Sequence, residues 1–160
     1  MRLFGHPFHP MLVHFPIVFW TVATAAYVAY AADISDVAAV VAKYSNGAGL
    51  IMAALAMIAG LLELRSIEGQ SETMQVAIWH MMVMATAWIC FLLALVLPIS
   101  SGPRVDHSTA HLASVASAVA GFLLMGAGGW LGGRLVYEFG TGVRGRPESQ
   151  TKPGPQNLGG

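Results

Sequence analysis

Six histidines are the residues of this 160-residue chain best suited to chemistry. His6, His9 and His14 crowd the start, His80 stands alone, and His107 and His111 lie four residues apart, on one face of any helix that carries them. Imidazole ligates metals and exchanges protons near neutral pH, so the pattern points to ligation or proton handling. Other chemistries find no support. No nucleophile stands beside a base, and neither a phosphate-cradling loop nor a catalytic carboxylate pair is visible, so a stand-alone enzyme is not expected. Cys90 has no partner cysteine, which excludes an intrachain disulfide and a cysteine metal cluster. It reads as a small packing residue inside an apolar run. A Cys-x-x-Cys-His attachment sequence is absent too, so any haem would be non-covalent and b-type.

The elements that must position these histidines are read from hydropathy. Hydrophobic residues make up 56% of the chain and charged residues only 10%, too few to cover a soluble surface. Four apolar stretches, at about 11–32, 47–64, 74–97 and 109–131, each approach the ~20 residues that a helix needs to cross a bilayer. Lipid offers the backbone no hydrogen-bond partner, so these stretches must be helices, and the fold class expected is an all-α integral membrane four-helix bundle. The first stretch does not read as a cleaved signal. Only Arg2 precedes it, and prolines and histidines interrupt its start. Asp33 and Asp36, the polar run 65–73 and the Pro- and Gly-containing run 98–107 separate the helices. The transmembrane domain is thus expected over 1–143 and a disordered tail over 144–160, where the composition turns to Gly, Pro, Ser, Gln and Lys.

Four spans place both termini on one side of the membrane. That side would carry Arg2, Arg65, Arg134, Arg144, Arg146 and Lys152, and the other only Lys43 and Arg104. Basic residues stay in the cytoplasm, so the N- and C-termini are expected there. Balanced charge, with eight basic and eight acidic residues, argues against nucleic-acid binding. Close helix contacts are expected where small residues recur at fourfold spacing: Gly49, Ala53, Ala56 and Gly60 in the second helix, Gly128 with Gly132 and Gly129 with Gly133 in the fourth.

In this topology His14 and His80 fall at similar depth in the cytoplasmic half, and Glu63 ends the second helix on the same side. Three readings of the pair compete. The first is axial ligation of a haem b between the first and third helices, with Met84 walling the macrocycle and Arg65 and Arg134 pairing with its propionates. The second is a non-haem metal site in which Glu63 joins the two histidines, with His9 and His111 as reserve ligands. The third is structural, with interfacial histidines bonded to backbone or headgroups. His107 and His111 lie toward the opposite face with Asp106 and Arg104, where a solvated loop outweighs a second site.

Two longer motifs carry a resemblance. The opening Gly5-His6-Pro7-Phe8-His9-Pro10-Met11-Leu12-Val13-His14-Phe15-Pro16 and the closing Gly129-Trp130-Leu131-Gly132-Gly133-Arg134-Leu135-Val136-Tyr137-Glu138-Phe139-Gly140-Thr141-Gly142-Val143, with His80 between them, resemble a bacterial family of four-helix membrane proteins, domain of unknown function 2231. The resemblance spans nearly the whole chain up to about residue 143. It implies a bacterial inner-membrane location and proximity to Rieske-type and other redox proteins, which favours the haem reading. Glu63 stands where the family tends to have an aspartate. The expectation is therefore a haem b-binding electron-transfer protein or redox-complex subunit, with a membrane scaffold bearing structural histidines, or a non-haem metal protein, as the rivals. Its partners would be the lipid bilayer, redox proteins and a further copy of the chain.

The charge asymmetry gives a first test. A topology reporter fused after Val143 is expected to signal cytoplasm, and one inserted beside Arg104 the external side; the opposite pattern would invert the protein in the membrane.

Overall fold

A computed structural model of the chain describes residues 2–3, 6–65, 67, 71–97 and 109–141. Arg104, Asp106, His107 and the tail 144–160 lie outside the described residues, and so does the side chain of His111. A two-residue antiparallel ladder, β1 (Arg2–Leu3) with β2 (His6–Pro7), precedes five helices. These are α1 (Phe8–Leu12), α2 (His14–Ala31), α3 (Val37–Leu64), α4 (Glu72–Val96) and α5 (Thr109–Tyr137). Four spans are long and apolar enough to cross a membrane, at His9–Ala31, Val37–Leu64, Glu72–Val96 and Leu112–Tyr137. The architecture is the all-α membrane bundle that hydropathy implies.

Local chemistry explains where the helices begin and end. Pro16 has no N–H for the carbonyl of Leu12, four residues back, and its ring crowds that carbonyl; α1 ends at Leu12 and α2 starts at His14. Val13 remains helical in its backbone angles, so α1 and α2 form one span with a break in it. At the far end, Asp33 takes a left-handed φ of 56°. Its N–H then reaches the Tyr30 carbonyl at 3.1 Å while Ile34 N–H reaches that of Ala29 at 3.0 Å, which closes the last turn of α2. Ser71 caps α4, its Oγ accepting from Met74 N–H at 3.1 Å. Gly140, with φ of 65°, turns the chain away after α5.

The helices form an antiparallel ring in which each packs on its sequence neighbours and α5 closes against α2. Large apolar side chains such as Val18, Ile51, Ile58, Met82 and Leu123 point outward, as lipid requires. The core is small-residue packing around aromatic rings. Trp20 stacks on Phe91 with centroids 4.3 Å apart and planes 10° apart. The Trp20 indole packs close against Gly49, and Phe91 against Gly121, where a Cβ would meet its ring at 2.9 Å. The small-residue face of α3 is thus buried at Gly49, Ala53 and Ala56, as its spacing implies.

Polar side chains tie the helices across this core. Asn46 Nδ2 donates to the Phe91 carbonyl at 2.9 Å and to the Tyr27 hydroxyl at 3.1 Å. Tyr27 donates to the Ala94 carbonyl at 3.0 Å, and Ser114 Oγ donates to the same carbonyl at 3.1 Å. Trp88 Nε1 donates to the Leu50 carbonyl at 3.1 Å. Such bonds are worth on average only about 0.6 kcal/mol each inside a membrane, so they fix register and rotation more than they supply stability.

Two glycines of α3 separate packing from mere flexibility. A Cβ at Gly49 would sit 2.5 Å from Trp20 Cδ1, whereas one at Gly47 meets nothing within 4 Å. Gly49→Ala should therefore destabilise the detergent-solubilised protein by about 1–3 kcal/mol, the usual cost of overpacking. Gly47→Ala should leave its thermal midpoint unchanged or slightly higher; equal midpoints for the two variants would contradict the packing.

Candidate functional site

Rotation of the first span about its axis decides which histidine enters the bundle. His9 and His14 are five residues apart, about 140° around a helix, so they cannot both face the same neighbour. His14 is exposed on the outer surface, while His9, on α1, is half-buried against α3 and α4. The structure thus pairs His80 with His9, where depth along the helices alone suggested His14. Their ring centroids are 6.4 Å apart, with planes at 88°.

Each ring is held by a backbone carbonyl. His9 Nδ1 lies 2.7 Å from the Ala56 carbonyl oxygen of α3, and His80 Nδ1 lies 2.8 Å from that of Gly128 in α5. A carbonyl only accepts, so Nδ1 carries the proton in both rings. In the neutral imidazole this leaves the Nε2 lone pair available, which is the arrangement of a metal-ligating histidine with an orienting carbonyl behind it. The His9 N–H, in the first turn of α1, makes a long 3.5 Å contact with Glu63 Oε1, placing that carboxylate at the entrance of the site.

Glycines make room for the rings. A Cβ at Gly60 would be 3.1 Å from His9 Cε1 and Nδ1, and one at Gly132 would be 3.2 Å from His80 Cε1. Met84, one turn after His80, packs its thioether on Gly128. The Gly128–Gly132 pair is therefore a packing seam against α4. Gly129 meets nothing within 4 Å and Gly133 only the ring of its neighbour Tyr137 at 3.9 Å, so this second pair leaves the bundle contacts.

The two arginines proposed for this edge differ in setting. Arg65 follows the last residue of α3 and is exposed. Arg134 is half-buried two residues beyond Gly132, its Nε 2.8 Å from Glu138 Oε2 and its guanidinium 5.4 Å from the Trp130 ring centre and 5.9 Å from that of Phe139. Among the described residues, no group of three or more His, Cys, Asp or Glu side chains is arranged to hold a metal ion. The set His14, His80 and Glu63, with His9 in reserve, is thus not assembled as a three-ligand centre. His111 is carried by α5, but its side chain lies outside the described residues.

A family model described as a predicted membrane protein, DUF2231, matches residues 5–145. The chain belongs to the DUF2231 family. The matched region takes in the whole bundle and both end motifs, including His9, His80 and Arg134. Neither a curated relative nor a solved structure matches the chain.

Sequence reasoning reached His80 and Glu63 directly and held His9 in reserve. It missed Asn46, Tyr27 and Trp20, and it had no means of naming the carbonyls of Ala56 and Gly128. A lone Asn within the apolar run of the second span was the available signal for the first, because an amide in lipid demands an internal partner.

The tautomers are directly measurable. In 15N spectra of the histidine-labelled DUF2231 protein at a pH where the rings are neutral, His9 and His80 should both show a protonated Nδ1 and an unprotonated Nε2. An Nε2-protonated ring at either position would break the carbonyl contacts described above.

Proposed function

We propose that this protein is a membrane-embedded electron-transfer protein, acting alone or as a subunit of a redox complex, that holds a b-type haem between His9 and His80. The observation that supports it most is the facing pair of imidazoles, each fixed through Nδ1–H to a carbonyl of a neighbouring helix. The ring centres are 6.4 Å apart, and the Nε2 atoms of His9 and His80 are the nitrogens that would hold the iron. The donor count points the same way. A structural or catalytic metal ion ordinarily takes three or more protein ligands, whereas a haem brings its own equatorial nitrogens and asks only for axial ones. Two histidines, with no third ligand grouped with them among the described residues, suit the haem better than a bare ion.

Bound there, the haem would supply a one-electron iron couple. The protein's own groups do the rest. The carbonyls of Ala56 and Gly128 orient the rings and fix their tautomer. Gly60 and Gly132 keep side chains off them, and the apolar helices exclude water. Arg65 and Arg134 are the cations at that edge suited to carboxylate groups of the ligand. The positive-inside pattern supports an orientation with this end of the bundle, and both termini, in the cytoplasm of a bacterial inner membrane, within reach of redox proteins on that side.

An absorption spectrum tests the reading. The protein purified from haem-replete cells should show a Soret band and a sharp α-band after reduction. His9→Ala and His80→Ala should each lower haem retention at least tenfold, while His14→Ala, on the outer surface, should leave it intact. A colourless protein would sink the proposal, and loss of haem in the His14 variant alone would move the ligand back to His14. Metal analysis of a colourless preparation would then separate a non-haem site from plain structural histidines.

A further inference from the structure

Trp20 and Asn46 are both 0% exposed, and each carries one polar atom that meets no hydrogen-bond partner in the protein: the indole Nε1 and the amide Oδ1. The two are complementary, one a donor and the other an acceptor. Neither can be relieved by turning the side chain. Asn46 already uses Nδ2 on the Phe91 carbonyl and the Tyr27 hydroxyl. Rotating the amide would set Oδ1 against the Phe91 carbonyl, lone pair to lone pair. Trp20 is clamped between the Phe91 ring and the backbone of Gly49, and its Nε1 would be 2.7 Å from a Cβ on that glycine. Gly49 lies three residues after Asn46, on the same side of α3. Trp20 Nε1 therefore lies beside the face of α3 that carries Asn46.

We infer that a single water molecule is bound inside the bundle, accepting from Trp20 Nε1–H and donating to Asn46 Oδ1. Other ligand classes fit these groups badly. A cation would face the indole N–H, and an anion would face the amide oxygen. Full burial of both residues keeps lipid chains out, and an acyl chain could satisfy neither atom. Water both accepts and donates, and two polar partners are enough to retain it. The consequence is a continuous polar chain through all four spans. It runs from Trp20 in α2 through the water to Asn46 in α3. From there it reaches Tyr27 and the Ala94 carbonyl of α4, which also receives Ser114 of α5. Its place in the bundle is separate from the His9–His80 pair, so the inference stands whether or not haem is bound.

Solution NMR on the full chain in detergent micelles, with 15N-labelled tryptophan, tests it. The indole of Trp20 is assigned by its contacts with the stacked Phe91 ring. The exposed Trp79 and Trp130 are assigned by substitution with Phe. The Trp20 indole proton should show a cross-peak to water whose sign reports a residence longer than nanoseconds, while the Trp88 indole, bonded to the Leu50 carbonyl, shows none. Asn46→Leu should abolish the Trp20 cross-peak and leave Trp88 unchanged. If that variant does not fold, the unsubstituted protein still decides. An absent water cross-peak would overturn the inference, and so would a direct bond from the indole N–H to the Asn46 amide.

Discussion

The controlling constraint in this molecule is that lipid cannot hydrogen-bond. Each polar side chain inside the bundle has to find its partner within the protein, and the partners are mostly backbone carbonyls of adjacent helices: Ala56 for His9, Gly128 for His80, Leu50 for Trp88, Ala94 for Tyr27 and Ser114, Phe91 for Asn46. A carbonyl already engaged in a helix has a second lone pair, so these bonds cost the helices little. They do demand close approach, and close approach demands small residues. That is why glycine and alanine line the contact faces while the branched residues point to lipid.

The same constraint divides the bundle into two polar levels. At the level of the chain termini gather the half-buried His9, His80, Glu63 and Arg134, ionisable groups whose place in the bundle needs a reason. Toward the opposite level, Asn46, Tyr27 and Ser114 form a network of neutral groups. Their role is geometric: rotation of any one helix would strand a donor in lipid. Holding α3, α4 and α5 in register in turn fixes where the carbonyls of Ala56 and Gly128 lie, and hence how the imidazoles are aimed. The site is thus set by packing at some distance from it.

Pro16 provides a compact example of a sequence feature with a tertiary consequence. It interrupts the first span between Leu12 and His14, on the turn that separates the inward His9, bonded to α3, from the outward His14. In an unbroken helix His9 and His14 would compete for the interior from directions about 140° apart, and depth alone cannot choose between them.

The amino-acid sequence by itself determined the membrane class, the four spans, the small-residue faces and the concentration of basic residues on one side of the spans. These follow from one-dimensional properties, hydropathy length and residue spacing, that lipid enforces without reference to partners. Family membership was also readable in the two end motifs. Only the tertiary structure decided that His9 rather than His14 meets His80, and that Gly128 and Gly132 pack while Gly129 and Gly133 lie outside the seam. It likewise decided that Asn46 ties three helices together. Each of these depends on the rotation of one helix relative to another. Rotation is settled by which ring finds a carbonyl and which face finds a glycine, and spacing along one chain does not contain that information.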